Sequence, residues 1–200
     1  MATSIAIASG KGGVGKTTIA VNLALTLIQM GSKVSLFDTD FGLANSHIIL
    51  GINPRKTIRD VIKHSTPINE VIENGPAGLK FISGGNGLID ILNIEKNAIF
   101  QVIRALEPLE QVVDNLIVDT PAGASDNSIL FSAAVERLLI VLVGEPTSFL
   151  DAYTFIKAAN IEKGIRNFSV VVNMVDNEEN GRKTYEKFHK ITDKFLDVNV

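Results

Sequence analysis

The sequence predicts an α/β fold, in which a doubly wound, mostly parallel sheet carries helices on both faces. Two observations support it. Short apolar runs alternate with helix-length segments along the 200 residues. The run LLIVLV at residues 138–143 is apolar without interruption, as expected for a strand that is covered on both faces. Ligands bind such sheets at the carboxyl ends of the strands, so we expect functional residues directly after the strands.

Apolar composition and length predict the individual elements in turn. The predicted strands occupy residues 4–8, 33–37, 79–83, 115–118, 138–143 and 169–172. The predicted helices occupy residues 17–30, 94–106, 148–159 and 178–195, and Gly31 follows the first of them where glycine commonly ends a helix. Residues 51–78 are the least regular stretch and are predicted to be peripheral. Because no linker interrupts the pattern, residues 1–200 are expected to form a single domain.

Composition restricts the classes of function. The 200 residues contain no cysteine, which excludes disulfides, thiolate metal sites and cysteine nucleophiles within them. The net charge of −3 argues against a nucleic-acid partner, which usually leaves a basic footprint. The longest apolar run is too short to span a bilayer, and no basic segment precedes the N-terminal apolar run as in a signal peptide. A cytoplasmic protein is therefore expected.

The first predicted strand is followed by a glycine-rich loop. GKGGVGKT at residues 10–17 fits G-x-x-x-x-G-K-[ST] and stands between a strand and a helix, the context that defines a phosphate-binding loop. Backbone N–H groups would surround the phosphates, Lys16 would reach the β- and γ-phosphates, and Thr17 would ligate Mg²⁺. The predicted cofactors are therefore ATP and Mg²⁺. The predicted nucleotide contacts are Gly10, Gly12, Gly13, Val14, Gly15, Lys16, Thr17 and Thr18.

The same glycines allow a second interpretation. Gly10, Gly12 and Gly15 also satisfy G-x-G-x-x-G, and an acidic residue follows a little over 20 residues later, as in dinucleotide-binding folds. That interpretation leaves Lys16 unexplained and places the charged Lys11 in a turn that should approach a pyrophosphate closely. A simple glycine turn would need five specified positions to arise by accident. The phosphate loop is therefore favoured over both.

Polar residues also follow three later strands. Asp38 and Asp40, in the sequence DTD, could hold Mg²⁺-bound water and orient an attacking water, whereas either could instead cap a loop. Asp119 follows NLIV as an acidic metal-site residue would, and the next residues, TPAG, could sense a phosphate through the Gly123 N–H; a plain strand-end turn is the alternative. Asn173 could hydrogen-bond an adenine edge or serve only as a turn residue.

Together these motifs resemble the MinD/ParA family of deviant Walker A ATPases. The resemblance rests on the lysine at the second position of the loop, Lys11, on DTD and on DTPAG, and covers essentially the whole chain. It implies that Lys11 reaches the phosphates of a partner subunit in an ATP-bound homodimer. It further implies three groups of site residues: catalytic Lys11, Lys16 and Asp40; metal-binding Thr17, Asp38 and Asp119; and Asn173 in the adenine pocket.

Three segments are most similar to the FlhG/FleN flagellar-number regulators within that family: FGLANSHIILG at 41–51, GGNG at 84–87 and EPTSFLDAYTFIK at 145–157. Lack of cysteine argues against the iron–sulfur members. The resemblance implies an ATPase switch for flagellar number or placement. Its partners would be an FlhF-like GTPase or flagellar switch proteins, with peripheral membrane contact through a C-terminal helix that a truncated chain would lack. A MinD-like division-site ATPase, another family member and a non-hydrolysing ATP-binding recruitment module remain alternatives.

Overall fold

A computed structural model describes residues 2–41, 44–85 and 96–200. Within these ranges seven strands form one mostly parallel sheet in the order β3-β4-β2-β5-β1-β6-β7, which confirms the predicted fold class. The strands are β1 Thr3–Ala8, β2 Val34–Asp38, β3 Ile72–Asn74, β4 Lys80–Ser83, β5 Asn115–Asp119, β6 Arg137–Leu142 and β7 Ser169–Val172. The helices are α1 Lys16–Gln29, α2 Ser46–Leu50, α3 Ile58–His64, α4 Lys96–Leu106, α5 Asp126–Ala133, α6 Pro146–Lys163 and α7 Glu178–Phe195.

The chain divides into two compact units. The first contains the described residues of Met1–Ile5 and Thr17–Thr120, and the second contains Ala6–Lys16 and Pro121–Val200. The expectation of a single domain over residues 1–200 stays a prediction. Across the described ranges, none of the helices has the length and apolarity needed to cross a membrane.

In the first unit, β2 is the central strand and pairs in parallel with β4 and β5. Its register places Asp38 directly opposite Asp119. β3 adds an antiparallel strand beside β4, and α3 begins at a capping interaction in which the Thr57 N–H donates to Asp60 Oδ2 at 2.8 Å. Residues 51–78 are thus more regular than predicted. The core consists of side chains with no exposed surface, among them Leu36, Phe37, Phe81 and Ile117.

In the second unit, β6 and β7 are parallel, with Leu142 opposite Val172. Helix α6 connects them; it starts two residues earlier and ends four residues later than predicted. Proline is favoured at its first position, and Gly164 ends it in the left-handed conformation at φ 68°. The side chains of Ile140, Phe155 and Phe188 are fully buried in this unit.

Candidate functional site

The loop between β1 and α1 contains two glycines in the left-handed backbone conformation. Gly13 and Gly15 have φ values of 79° and 85°, in the left-handed region that favours glycine. Helix α1 begins at Lys16, as predicted to within one residue, so its first backbone N–H groups directly follow the loop. Thr17 and Thr18 lie in its first turn, the former half-buried and the latter exposed.

Hydrogen bonds within the second unit hold this loop at Ser9 and at Val14. The Ser9 carbonyl accepts a 2.8 Å hydrogen bond from the Gly123 N–H, and the Val14 carbonyl accepts one of 2.9 Å from Asn173 Nδ2. Ser9 Oγ also donates to the Lys11 carbonyl at 2.9 Å. These bonds connect the loop to the ends of β5 and β7.

Two of the loop glycines are also required sterically. A Cβ on Gly10 would overlap the backbone carbonyl of Asp151 in α6, and a Cβ on Gly15 would overlap the side-chain amide of Asn173. A Cβ on Gly12 or Gly13 would meet nothing within 4 Å. The loop motif alone could not distinguish these two pairs, because the difference arises from segments more than 100 residues away.

Lys11 is held by its own chain. Its Nζ lies 2.7 Å from Glu145 Oε2 and 3.3 Å from Thr147 Oγ1. The side chains are 39% and 60% exposed for Lys11 and Glu145, so the ion pair is only partly shielded from water. Sequence reasoning did not identify Glu145 as a partner, although it lies within the segment EPTSFLDAYTFIK that carried the resemblance.

Gly123 and Asn173 contact the loop rather than facing outward. The Gly123 N–H, predicted to approach a phosphate, donates to the Ser9 carbonyl in this structure. The Asn173 amide, predicted to meet adenine, donates to Val14. A role for Asn173 in an adenine pocket stays a prediction, to which the structure adds a supporting role in the loop.

The first unit contains a second candidate centre, made of two buried carboxylates. Asp38 and Asp119 end the neighbouring strands β2 and β5 and are 1% and 2% exposed. Asp38 accepts hydrogen bonds of 3.0 Å from the Asp40 N–H on Oδ1 and from the Ser46 N–H on Oδ2. Ser46 Oγ donates to Asp119 Oδ2 at 3.4 Å, so this serine, which sequence reasoning missed, contacts both acids.

The electrostatics of this pair favour a cation. Burial raises the pKa of the Asp38 carboxyl, the neighbouring Asp119 carboxylate acts in the same direction, and the hydrogen bonds from Asp40 and Ser46 oppose them. A divalent cation would relieve the repulsion, and carboxylate oxygens are the ligands that Mg²⁺ prefers. The carboxylates of Asp38 and Asp119, together with the Ser46 hydroxyl, therefore fit Mg²⁺.

The remaining predicted residues lie beside this centre or outside the described ranges. Asp40 is half-buried and follows Asp38 by two residues. The Gly84 N–H donates to the Asp38 carbonyl at 2.8 Å, and a Cβ on Gly84 would lie 2.8 Å from that carbonyl oxygen. Residues 42–43 of FGLANSHIILG and 86–87 of GGNG lie outside the described residues.

A strand, a glycine-rich loop and a helix in a mostly parallel sheet define the class of P-loop nucleoside-triphosphate-binding proteins. Within that class, a protein-family model described as "ParA: NUBPL iron-transfer P-loop NTPase" matches residues 1–194. The chain belongs to the ParA/MinD family of P-loop NTPases. Members of this family bind nucleotide and Mg²⁺ and are generally ATPases.

Individual relatives agree with this assignment. The chain is 39% identical over 194 residues to the antiactivator FleN of Pseudomonas aeruginosa, covering 97% of this chain and 69% of FleN. It is 36% identical over 196 residues to the flagellum site-determining protein YlxH of Helicobacter pylori, covering 94% and 63%. A MinC:MinD cell division protein complex of Aquifex aeolicus is similar in structure, with a TM-score of 0.78 and 29% identity over 99% of this chain and 79% of that one. The chain thus spans about two thirds of the length of these two curated relatives.

Proposed function

We propose that this protein is a Mg²⁺-ATP-dependent ATPase switch that dimerises on ATP. The observation that carries the proposal is the loop at residues 10–17, in which Gly13 and Gly15 adopt the left-handed conformation between a strand and a helix. Loop N–H groups and the positive end of α1 bind the phosphates, and Lys16 neutralises charge on the β- and γ-phosphates. Thr17 supplies a hydroxyl to the metal.

The acidic residues hold water and metal in this proposal. Mg²⁺, when bound, neutralises charge on the phosphates. Asp38 and Asp119 would hold the ion or its bound water, and Ser46 donates a hydrogen bond to each of the two carboxylates. The Asp40 N–H donates to Asp38 Oδ1 at 3.0 Å, and the Asp40 side chain is half-buried. In this proposal the Asp40 carboxylate orients the attacking water.

Lys11 supplies the dependence on dimerisation. The resemblance to the family implies that Lys11 reaches the phosphates of the partner subunit. An arginine finger supplied in trans acts similarly in GTPases, where it accelerates hydrolysis by about 10³–10⁵. The ion pair with Glu145, in which Lys11 Nζ lies 2.7 Å from Oε2, would then compete with the partner's phosphates for the same ammonium group. If Lys11 leaves Glu145 for the partner's phosphates only in the dimer, rapid ATP hydrolysis would occur only in the dimer.

The names of the relatives support a flagellar role. FleN is an antiactivator and YlxH is a flagellum site-determining protein. We therefore propose that the switch regulates flagellar number or placement through an FlhF-like GTPase or flagellar switch proteins, acting in the cytoplasm with peripheral contact to the membrane. A division-site role of the MinD type is the alternative, supported by similarity to a MinC:MinD complex.

ATP turnover measured against protein concentration tests the proposal. Turnover per chain should rise with concentration, and ATP should double the mass seen by light scattering. Lys16→Ala should abolish nucleotide binding, whereas Lys11→Ala should keep binding and lose both dimerisation and the concentration dependence. Slow turnover that neither Lys11→Ala nor Asp40→Ala changes would contradict the proposal.

A second function, a non-hydrolysing ATP-binding recruitment module, is favoured by one observation. Lys11 is engaged with Glu145 and Thr147 of its own chain. If that arrangement persists with ATP bound, no phosphate would be released at any protein concentration although ATP binds. Single-turnover phosphate release from saturated protein distinguishes the two functions.

A further inference from the structure

Ser46 is placed so that its backbone and its side chain reach different acids. The residue opens α2 and has no exposed surface. Its N–H lies 3.0 Å from Asp38 Oδ2, and its Oγ lies 3.4 Å from Asp119 Oδ2. One residue, outside both strands that carry the acids, therefore donates to a carboxylate oxygen of each.

The two acids are held in different ways. Both oxygens of Asp38 accept backbone N–H groups, from Asp40 on Oδ1 and from Ser46 on Oδ2. The backbone carbonyl of Asp119 accepts the N–H and the hydroxyl of Thr39, each at 2.9 Å. The Ser46 hydroxyl acts on the side chain of Asp119 instead. Removal of this hydroxyl would thus leave both bonds to Asp38 in place and would affect the Asp119 carboxylate.

The start of α2 does not by itself account for a hydroxyl at position 46. Serine is favoured at the cap position before a helix, where its oxygen accepts a backbone N–H. In α2 that position belongs to Asn45, and Ser46 is the first residue of the helix proper. The Ser46 hydroxyl instead donates into the acidic pair. A buried hydroxyl costs free energy unless it is hydrogen-bonded, and a small apolar residue such as alanine would avoid that cost.

We propose that the Ser46 hydroxyl positions the Asp119 carboxylate for a divalent cation and so sets the affinity of the acidic pair for that cation. This inference rests on the proposed metal-binding role of Asp38 and Asp119. The 3.4 Å separation is longer than the usual O–H···O distance of about 2.7–2.8 Å. The hydroxyl therefore orients the carboxylate and leaves lone pairs on it for a cation or for cation-bound water. Partners that orient metal ligands typically contribute about 10–100-fold to metal affinity.

The proposal separates Ser46 from the residues that contact the nucleotide. Ser46 is a positioning residue, since it acts on the cation through Asp119. When no cation is present, the acidic pair takes no part in holding the phosphates, which the loop N–H groups and Lys16 bind. The Ser46 hydroxyl should therefore matter for the affinity of the cation and not for the affinity of a nucleotide without a cation.

Titration of the full 200-residue chain with Mn²⁺ tests this proposal, because Mn²⁺ prefers the same oxygen ligands as Mg²⁺ and its free form has an EPR signal. In protein loaded with one equivalent of ADP, Ser46→Ala should raise the dissociation constant of Mn²⁺ about tenfold or more. Its affinity for ADP in EDTA, measured by calorimetry, should equal that of the unsubstituted chain.

Ser35→Ala is the matched control. Ser35 is also fully buried, lies in β2 with Asp38 and donates its hydroxyl to the Lys80 carbonyl at 3.1 Å. Its substitution should lower the melting temperature, because it removes a buried hydrogen bond, and should leave the affinity for Mn²⁺ unchanged.

Three results would overturn the inference while leaving the proposed function intact. The first is an unchanged Mn²⁺ dissociation constant in Ser46→Ala. The second is a loss of Mn²⁺ affinity that Ser35→Ala reproduces, which would show that the site responds to stability in general. The third is an equal loss of ADP affinity in EDTA, which would show that Ser46 acts on the nucleotide site as a whole. If the unsubstituted chain binds neither ADP nor Mn²⁺, the proposed function fails and this inference fails with it.

Discussion

Two anionic groups compete for the ammonium group of Lys11 in the proposed cycle, the Glu145 carboxylate of its own chain and the phosphates of the partner. An ion pair as exposed as Lys11–Glu145 stabilises a fold by about 0–1 kcal/mol, so it can be broken without unfolding the protein. Any state in which Lys11 leaves Glu145 loses this stabilisation and is less favourable by the same amount, about 0–1 kcal/mol. In the proposed cycle, a stronger pair would therefore make the dimer less favourable.

Glu145→Gln should release Lys11 and favour the dimer. Each dimer opens two such pairs, so we expect the protein concentration at half-maximal ATP turnover to fall by up to about thirtyfold, the factor that corresponds to about 2 kcal/mol, with little change in melting temperature. Glu162→Gln, at an exposed position near the end of α6, the helix that Glu145 precedes, is the control and should behave as the unsubstituted chain does. An unchanged midpoint in Glu145→Gln would show that the pair does not oppose dimerisation.

Asp38 should make the stability of the metal-free protein depend on pH. Because the pKa of the folded state is raised above 3.8, stability from protonated Asp38 is fully present below pH 3.8 and is lost as pH rises through the raised value. Asp38→Asn removes this loss. In EDTA, the free energy of unfolding of the unsubstituted chain should therefore fall relative to that of Asp38→Asn as pH rises towards neutrality, as measured by urea denaturation.

Adding Mg²⁺ should reverse that difference at neutral pH, because the cation stabilises the ionised carboxylate and binds the amide more weakly. A difference between the two proteins that is independent of both pH and Mg²⁺ would contradict the assignment of Asp38 to a metal-binding pair. Asp40→Asn is the comparison, since Asp40 is half-buried and its substitution leaves the buried pair of carboxylates in place.

At the scale of elements, the packing of the loop on α6 gives a matched pair of substitutions. Gly10→Ala should destabilise the protein by about 1–3 kcal/mol, because the new methyl group overlaps the backbone of Asp151 and that backbone can only move with its helix. Gly12→Ala should change stability by less than about 0.5 kcal/mol, because its methyl group meets no atom. Urea denaturation measures both, and equal effects would refute the close approach of α6.

The predictability of elements from sequence follows from their patterns of burial. Strands β1, β2 and β4–β7 are short apolar runs and were predicted to within one residue at each end. Helix α5 was missed because five consecutive residues, Ser128 to Ser132, are buried, so no helical apolar stripe is visible. The five residues of α2 are too few to show a period.

The candidate site was predictable only in part, for a related reason. Motif residues follow strand ends, which the sequence reveals. Partners such as Glu145 and Ser46, and the steric need for Gly10, depend on segments that meet only in the folded chain. The spacing of residues within one segment of the sequence therefore cannot predict these contacts.

At the scale of the whole molecule, the lack of cysteine limits which activities of the family this chain can share. The matching family model is described by iron transfer, yet these 200 residues contain no cysteine. Protein iron–sulfur clusters are held mainly by cysteine thiolates. After anaerobic reconstitution with iron and sulfide, the purified chain should therefore hold no more iron than a protein blank, as measured by iron analysis and by absorbance in the visible range. Stoichiometric iron would contradict this expectation.

The double attachment of Asn173, to the β6 backbone and to the Val14 carbonyl, also constrains how such a protein can diverge. A substitution there would leave the Val14 carbonyl without its donor and would loosen the glycine-rich loop, although the segments concerned lie more than 150 residues apart. Few replacements of Asn173 could therefore pass through selection while the shape of that loop is needed.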